Sequence, residues 1–284
     1  MGTRINNRKF PFDLKGIISI LAASLGGLMA NQRRWDRDEL LVAFYLYSHT
    51  PFGRISQRNP EIIQIAELMQ RSASSLSMKM ANIASCDPSI TSTGRRGLPG
   101  ASRADKTMWQ EMTQDWETFY LKAYAAHLQL TQSSEPQNVK SAGTDDFHGR
   151  ERETLTKTRV GQQVFRSSVL SAYDFRCCIT GLDIPELLIA SHIVPWSQEP
   201  NQRLNPCNGM CLSSLHDAAF DKGLITLNSH LELLLSPKLL TKKNRYLSDS
   251  FERFENQPIR LPNKFAPAEE YLALHRQQIF QAIS

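Results

Sequence analysis

The sequence has few cysteines, few aromatic residues and no apolar run long enough to cross a membrane. Five cysteines among 284 residues are too few for a secreted scaffold built on disulfides. The longest apolar run covers residues 17–28, whereas a membrane-spanning helix needs about 20 apolar residues. With 41% hydrophobic and 21% charged residues, the composition predicts a globular protein that does not enter a membrane.

The sequence also lacks a strongly basic segment. Lys and Arg total 33 and Asp and Glu total 28, which gives a net charge of +5. The excess lies within the first 125 residues, and the remainder is balanced. This mild excess favours a polyanionic partner, but one recognised by individually placed residues and not by bulk charge.

Residues 1–28 combine four basic residues with the apolar run, and Met29 follows. Three interpretations remain open: translated upstream sequence with the true start at Met29, a secretory signal, or an amphipathic docking helix. The first is favoured, because the later segments have the character of an intracellular protein. We therefore expect a cytoplasmic protein.

Residues 29–128 have the pattern of a helical domain. Asp36 and Glu39 form a capping-box signature, and Asn59 precedes Pro60 at the start of a second helix. A third apolar-periodic segment follows a short polar turn, and the spacing fits either a DNA-binding helix-turn-helix or a plain three-helix bundle. If this domain binds DNA, the residues that we expect to contact it are Arg71 and Lys79 of the third segment and Arg95 and Arg96 of the following basic loop. A further helix is predicted over residues 109–128.

Residues 129–152 are rich in Ser, Gln, Asn, Gly and charge, which predicts a linker. Residues 153–284 then read as a second domain. It begins with a helix, continues with two short strands and a helix, adds a hairpin that turns at Asn228, and ends with a helix. The fold class expected for the whole chain is α+β.

In the second domain, polar residues recur in a fixed order between short elements. A strand ends at His192, a loop leads to Asn208 and a second strand, and the next helix carries His216 and Asp217. Hydrolysis of a phosphodiester needs a base for the attacking water on one side of the phosphorus and positive charge on the other. A ββα unit with this order of residues can hold a general base opposite a divalent cation.

These motifs resemble the HNH (ββα-metal) endonucleases, and within them a branch of restriction-type endonucleases. The central motifs are ASHIVPW at 190–196, NG at 208–209 and HDAAFDKG at 216–223. The lead-in and tail motifs of that branch also match, at Gly161, Gln162, Phe165, Arg166, Leu170, Tyr173, Cys177, Thr180, Gly181, Leu261, Pro262, Pro267 and His275. The resemblance covers residues 158–280 and implies a C-terminal HNH nuclease domain.

The resemblance also implies roles for individual residues. His192 takes the position of the general base, and Asn208 takes that of the asparagine that braces the loop. The helix position that contributes to catalysis and binds metal falls on either His216 or Asp217. HNH enzymes often have an aspartate ligand immediately before the base, and here that position is Ser191.

Asp221 is expected to support a metal ligand from one turn further along the helix. The ion implied is Mg²⁺ or Mn²⁺, because the ligands offered are carboxylate and imidazole. Structural zinc is not expected, because the spacing of Cys177, Cys178, Cys207 and Cys211 does not give two Cys-x-x-Cys pairs.

The function implied is metal-dependent cleavage of double-stranded DNA, in restriction or defence against phage. Cutting both strands requires two active sites, so a homodimer is expected. The alternative is a DNA-binding regulator whose HNH-like domain is weak or inactive, and the serine at position 191 is the reason to consider it.

Overall fold

The computed structural model describes residues 33–91, 100–132, 146–195, 202–241 and 244–282, and only the backbone of 146–157. The helices in these ranges are α1 (Arg37–His49), α2 (Pro60–Leu68), α3 (Ala73–Ala84), α4 (Pro88–Thr91), α5 (Arg103–Gln114), α6 (Trp116–Gln132), α7 (Asp146–Ala172), α8 (Ser214–Asp221), α9 (Pro237–Leu240), α10 (Arg245–Ser250) and α11 (Glu269–Gln278). The strands are β1 (Leu188–His192), β2 (Gly209–Ser213), β3 (Ile225–Leu227) and β4 (Leu233–Leu235). Residues 1–28, with their three interpretations, lie outside the described residues.

The N-terminal helices begin where their capping residues predict. Asp36 accepts a hydrogen bond from the Glu39 amide, and the Glu39 side chain accepts one from the Asp36 amide, so the capping box is formed. Asn59 caps α2, and Ser72 caps α3. None of the helices in the described part of the chain is both long and apolar enough to cross a bilayer.

The helix predicted over residues 109–128 is two helices. Asp115 leaves the helical region, with φ −148° and ψ 88°, and its carboxylate accepts a hydrogen bond from the Thr118 amide. A short side chain that bonds to the backbone ahead of it ends one helix and begins the next. The periodicity predicts the helical conformation correctly but does not predict the break at Asp115.

Both ends of residues 129–152, the segment predicted as a linker, are helical. Helix α6 continues to Gln132, and α7 begins at Asp146 and runs for 27 residues. The division into a helical domain and a nuclease domain stays a prediction, because one hydrophobic core runs through residues from both parts.

The N-terminal helices and the C-terminal part of the chain are tied together at the end of α1. The side chain of Lys264 is fully buried and donates hydrogen bonds to the carbonyl oxygens of Tyr47, Ser48 and Thr50. The Ser171 hydroxyl, from α7, donates to the Ser48 carbonyl at 2.7 Å. These groups satisfy carbonyls that a helix leaves without partners at its C-terminus.

The nuclease-like part is built on a two-stranded antiparallel sheet between two helices. β1 pairs with β2 in a register that sets Leu188 opposite Ser213 and His192 opposite Gly209. Helix α7 packs on both strands, and α8, which follows β2 directly, also packs on both. The second hairpin, β3 with β4, is antiparallel as predicted, and Asn228 stabilises its turn by accepting hydrogen bonds from the amides of His230 and Glu232.

Candidate active site

A cleft of about 450 Å³ lies where β1 faces α8, and it contains four of the six site residues predicted in the ββα unit. Ser191, His192, Asp217 and Asp221 line it, together with His275 of α11. Asp217 and Asp221 are four residues apart, so both carboxylates lie on the same face of α8. The cleft therefore presents two carboxylates to the end of β1.

The carboxylates are held in a partly buried environment. Burial raises the pKa of the Asp217 carboxyl, and the nearby Ser191 hydroxyl and Lys222 ammonium act in the opposite direction. The pKa of Asp221 is also raised, first by burial and then by the charge of Asp217. The ionised form of each carboxylate is disfavoured by burial, and that of Asp221 also by its neighbour. A positive charge placed beside the two carboxylates would therefore be stabilised.

Ser191 contributes a buried hydroxyl to this cleft. Its side chain is 2% exposed, and its Oγ makes no hydrogen bond of normal geometry to any described residue. This buried oxygen lies beside the Asp217 carboxyl, so the two groups can face the same ligand or water in the cleft.

His192 contacts the backbone of Arg203 and the ring of Phe165. Its Nε2 donates to the carbonyl oxygen of Arg203 at 3.1 Å, so the neutral ring carries its basic lone pair on Nδ1. Its ring is stacked on Phe165 of α7, with centroids 3.7 Å apart and planes 10° apart. Burial lowers the pKa of His192, although the Arg203 carbonyl acts to raise it. The neutral form, which can accept a proton, is therefore favoured at neutral pH.

The base and the carboxylates lie on opposite sides of one strand. Side chains alternate along a strand, so Ser191 points to the face covered by α8 and His192 to the face covered by α7. In the described chain β1 pairs only with β2, so no strand covers its other edge. A second depression, of about 510 Å³, lies on the α7 side of that edge and shares Ile189, Ala190 and His192 with the cleft.

Asn208 braces the loop that follows β1. Its Oδ1 accepts a hydrogen bond from the Val194 amide at 2.9 Å, and its Nδ2 donates to the Val194 carbonyl at 3.2 Å. Asn208 is 2% exposed and does not line the cleft. Its contacts are those of a residue that fixes the backbone just beyond His192.

His216 points away from the cleft. It is buried, its Nε2 donates to the Ser250 carbonyl at 2.9 Å, and its Nδ1 lies 2.8 Å from the Ser213 hydroxyl. Because a carbonyl only accepts, Nδ1 is the nitrogen that accepts from Ser213. Of the two residues left open as metal ligand, the structure therefore brings Asp217, and not His216, to His192.

The donor set of the cleft suits a hard divalent cation. It consists of oxygen atoms, from two carboxylates and the Ser191 hydroxyl, which are the ligands that Mg²⁺ and Mn²⁺ prefer. In the described ranges no group of three or more His, Cys, Asp and Glu side chains is placed to hold a metal. An ion bound here would therefore keep several water ligands, as Mg²⁺ commonly does.

Two residues expected to contact DNA are buried in ion pairs. The guanidinium of Arg71 donates to both carboxylate oxygens of Glu39, at 2.9 and 2.6 Å, and its side chain is 1% exposed. Lys79 donates to both oxygens of Asp105, at 2.9 and 3.1 Å, and its side chain is 7% exposed. Both cations also lie over the Trp35 ring. This burial is contrary to the expectation that Arg71 and Lys79 contact DNA.

The other two DNA-binding candidates, Arg95 and Arg96, lie outside the described residues. All five cysteines are described and none forms a disulfide. Burial raises the pKa of the Cys211 thiol to about 12 and that of Cys178 well above its ordinary value. Both therefore remain protonated thiols at neutral pH.

Phe165 and the Arg203 carbonyl contact His192 but were not singled out as site residues in the sequence. Phe165 appeared there only as part of the lead-in motif, and a backbone carbonyl carries no sequence signal. His275, also in the cleft wall, has both ring nitrogens engaged, with Thr226 at 2.9 Å and the Phe220 carbonyl at 3.1 Å. Burial lowers its pKa to about 4, so it is a neutral structural residue.

Comparison with protein families identifies the class of this segment. Residues 177–228, which include β1, β2, α8 and β3, match the HNH endonuclease family. This part of the chain is an HNH endonuclease-family domain. The matched residues include Ser191, His192, Asn208 and Asp217, whereas the tail motif and the part of the lead-in motif before Cys177 lie outside them. A comparison with curated proteins gives no significant match.

Proposed function

We propose that this protein is a metal-dependent endonuclease that hydrolyses phosphodiester bonds of DNA. One observation carries the proposal: within the HNH segment, His192 and the carboxylates of Asp217 and Asp221 lie at the same edge of β1, on opposite faces of the strand. A phosphodiester lying along that edge has a base on one side and a negatively charged cleft on the other.

In the proposed reaction His192 is the general base. Its pKa is lowered by burial, so the neutral imidazole is present at pH 7 and can take a proton from the attacking water at Nδ1. The Arg203 carbonyl stabilises the protonated ring that results, since it accepts the hydrogen bond from Nε2. Asn208 keeps the following loop in place through Val194 and so helps to fix the end of β1.

Asp217 and Asp221, with the Ser191 hydroxyl, would hold Mg²⁺ or Mn²⁺. When bound, the ion supplies positive charge to the phosphate oxygens and to the leaving oxygen. Both carboxylates must be ionised for this, and burial raises the pKa of each. Ion binding is therefore expected to weaken on acidification.

Double-stranded DNA is the proposed substrate, and restriction or defence against phage in the cytoplasm is the proposed role. The helices before the HNH segment support a recognition function: α2 and α3 are joined by the short turn 69–72, as in a helix-turn-helix. Because Arg71 and Lys79 are buried, contact with DNA would be made by the outer face of α3. Ser74, Ser75 and Met78 are at least partly exposed there. A homodimer is proposed because two strands require two sites.

Nicking of supercoiled plasmid tests the activity. We expect the protein to convert supercoiled DNA to open-circular and linear forms in Mg²⁺ or Mn²⁺, and EDTA to abolish the conversion. Gel filtration of the same preparation tests the dimer. Plasmid that remains supercoiled in both metals would contradict the proposal.

A DNA-binding regulator without nuclease activity is the second candidate, and the serine at position 191 favours it, since HNH enzymes often have a carboxylate there. A mobility-shift assay beside the nicking assay separates the two candidates. A regulator binds DNA in the presence of the metal and leaves it intact, whereas a nuclease cuts it.

A further inference from the structure

One face of the His192 imidazole is covered by the aromatic ring of Phe165. Phe165, from α7, is 2% exposed, and its ring is nearly parallel to that of His192 at a centroid distance of 3.7 Å. The Arg203 carbonyl fixes the ring at Nε2. Together, a flat contact and a directed hydrogen bond restrict both the plane of the imidazole and its rotation within that plane.

This stack depends on a glycine in the neighbouring strand. Gly209 is directly opposite His192 in the β1–β2 register, and side chains opposite each other lie on the same face of a sheet. A Cβ at position 209 would lie 2.8 Å from Cζ of Phe165 and 2.6 Å from Cγ2 of Val169. Gly209 therefore leaves the space in which Phe165 reaches His192.

The residue after Phe165 holds the other end of the same strand. Arg166 donates to the carbonyl oxygens of Leu188 at 2.8 Å and of Pro185 at 3.1 Å. Leu188 begins β1 and His192 ends it. Two consecutive residues of α7 thus contact the first and last residues of the strand that carries the base.

We propose that Phe165 is a positioning residue for His192, with Gly209 as the position that makes room for it. The proposal rests on His192 being the general base of the proposed nuclease. A general base works only when its lone pair is aimed at the water, and a small misplacement of a reacting group is enough to lower the rate of the chemical step. The Phe165 ring fixes the orientation of the imidazole without contacting the reacting atoms.

The test compares Phe165→Leu with Val169→Ala. Val169 is buried on α7 one turn after Phe165 and also borders Gly209, so Val169→Ala weakens the same packing without removing the ring from His192. We expect Phe165→Leu to lower kcat for DNA cleavage by about 10–100-fold with little change in KM. Val169→Ala is expected to lose comparable stability and to keep kcat near that of the wild type.

A readout that does not depend on cleavage is the NMR spectrum of the histidine rings. The chain has seven histidines, and the His192 signal is identified by its loss in His192→Gln. In the wild type, stacking should shift the His192 ring protons upfield. In Phe165→Leu this upfield shift should decrease, because the stacked ring is removed.

Gly209→Ala is the second variant, in which Phe165 is present but displaced. It should change the His192 signal and kcat in the same direction as Phe165→Leu. Equal kcat in Phe165→Leu and Val169→Ala, or an unchanged His192 signal in Phe165→Leu, would overturn the proposal. If the wild type does not cleave DNA while the His192 shift behaves as expected, the proposed function fails and the stacking contact stands without a catalytic role.

Discussion

The N-terminal helices and the ββα segment differ in where their polar side chains lie. In the helices, Arg71 and Lys79 are directed inward, paired with Glu39 and Asp105 across 32 and 26 residues of sequence. In the ββα segment, His192, Asp217 and Asp221 line a cleft at the open edge of a strand. Basic residues in the first region stabilise packing, whereas acidic residues and a histidine in the second remain available to a ligand.

The order of residues along short elements is more informative about a site than charge on a helix. Lys79 lies three residues after Leu76 and four before Ile83, so it falls within the buried stripe of α3. Its partner Asp105 belongs to another helix, and a local pattern cannot reveal that partner. In the ββα segment the helix follows β2 directly and β2 pairs with β1, so few arrangements of the three elements are possible.

The largest expected effect is that of His192→Ala in the ββα segment. Loss of a general base should reduce DNA cleavage by about 10²–10⁴-fold, because the attacking water keeps its proton. Thermal unfolding and DNA binding are expected to stay close to those of the wild type. The measurement is the rate of plasmid nicking at saturating enzyme between pH 6 and 9.

For His192→Ala the control is His230→Ala, since His230 lies in the β3–β4 turn, away from the cleft. It should cleave at the wild-type rate. Cleavage by His192→Ala at the wild-type rate across this pH range would contradict a catalytic role for His192. The ββα segment would then no longer differ from the helices in carrying the base.

A smaller effect is expected from Lys79→Met in the helical region, and it should appear in stability. Removing one partner of a buried ion pair leaves the other charge unpaired, which costs about 3–5 kcal/mol of the free energy of unfolding. The slope of log affinity for DNA against log salt concentration should not change, because Lys79 contacts Asp105 and no phosphate. Urea unfolding and DNA-binding titrations at several salt concentrations measure both quantities.

Lys106→Met is the matched control, since Lys106 is exposed in the same helix as Asp105. It should change stability by no more than about 0.5 kcal/mol. A Lys79→Met protein of wild-type stability, with a salt slope lower by about one, would return Lys79 to the DNA-contacting role first expected of it.

Much of the secondary structure could be predicted, because its signals are local. The capping box at Asp36, the Asn59–Pro60 start and the antiparallel hairpin around Asn228 are all found. The break at Asp115 was missed, since an aspartate within an apolar-periodic segment looks like any exposed polar residue. Helix α7 was underestimated because its first half is polar and gives no periodicity.

The residues of the candidate site could be predicted from the sequence, but the directions in which their side chains point could not. His192, Asp217 and Asp221 were named, and the structure brings them to one cleft. The choice between His216 and Asp217 depends on how α8 is rotated against the sheet, which tertiary packing decides. The stack on Phe165 was missed for the same reason, since it joins residues 27 positions apart through a space left by Gly209.

We propose that the face of α8 directed at β1 carries the metal-dependent chemistry. The most direct test is plasmid nicking by Asp217→Asn and His216→Gln, which alter adjacent residues on different faces of one helix. We expect Asp217→Asn to lose at least about 100-fold in Mg²⁺ and to recover partly at high Mn²⁺. His216→Gln, measured below its melting temperature, should stay within about threefold of the wild type. Loss of activity with Mn²⁺ rescue in His216→Gln, and wild-type activity in Asp217→Asn, would contradict the account.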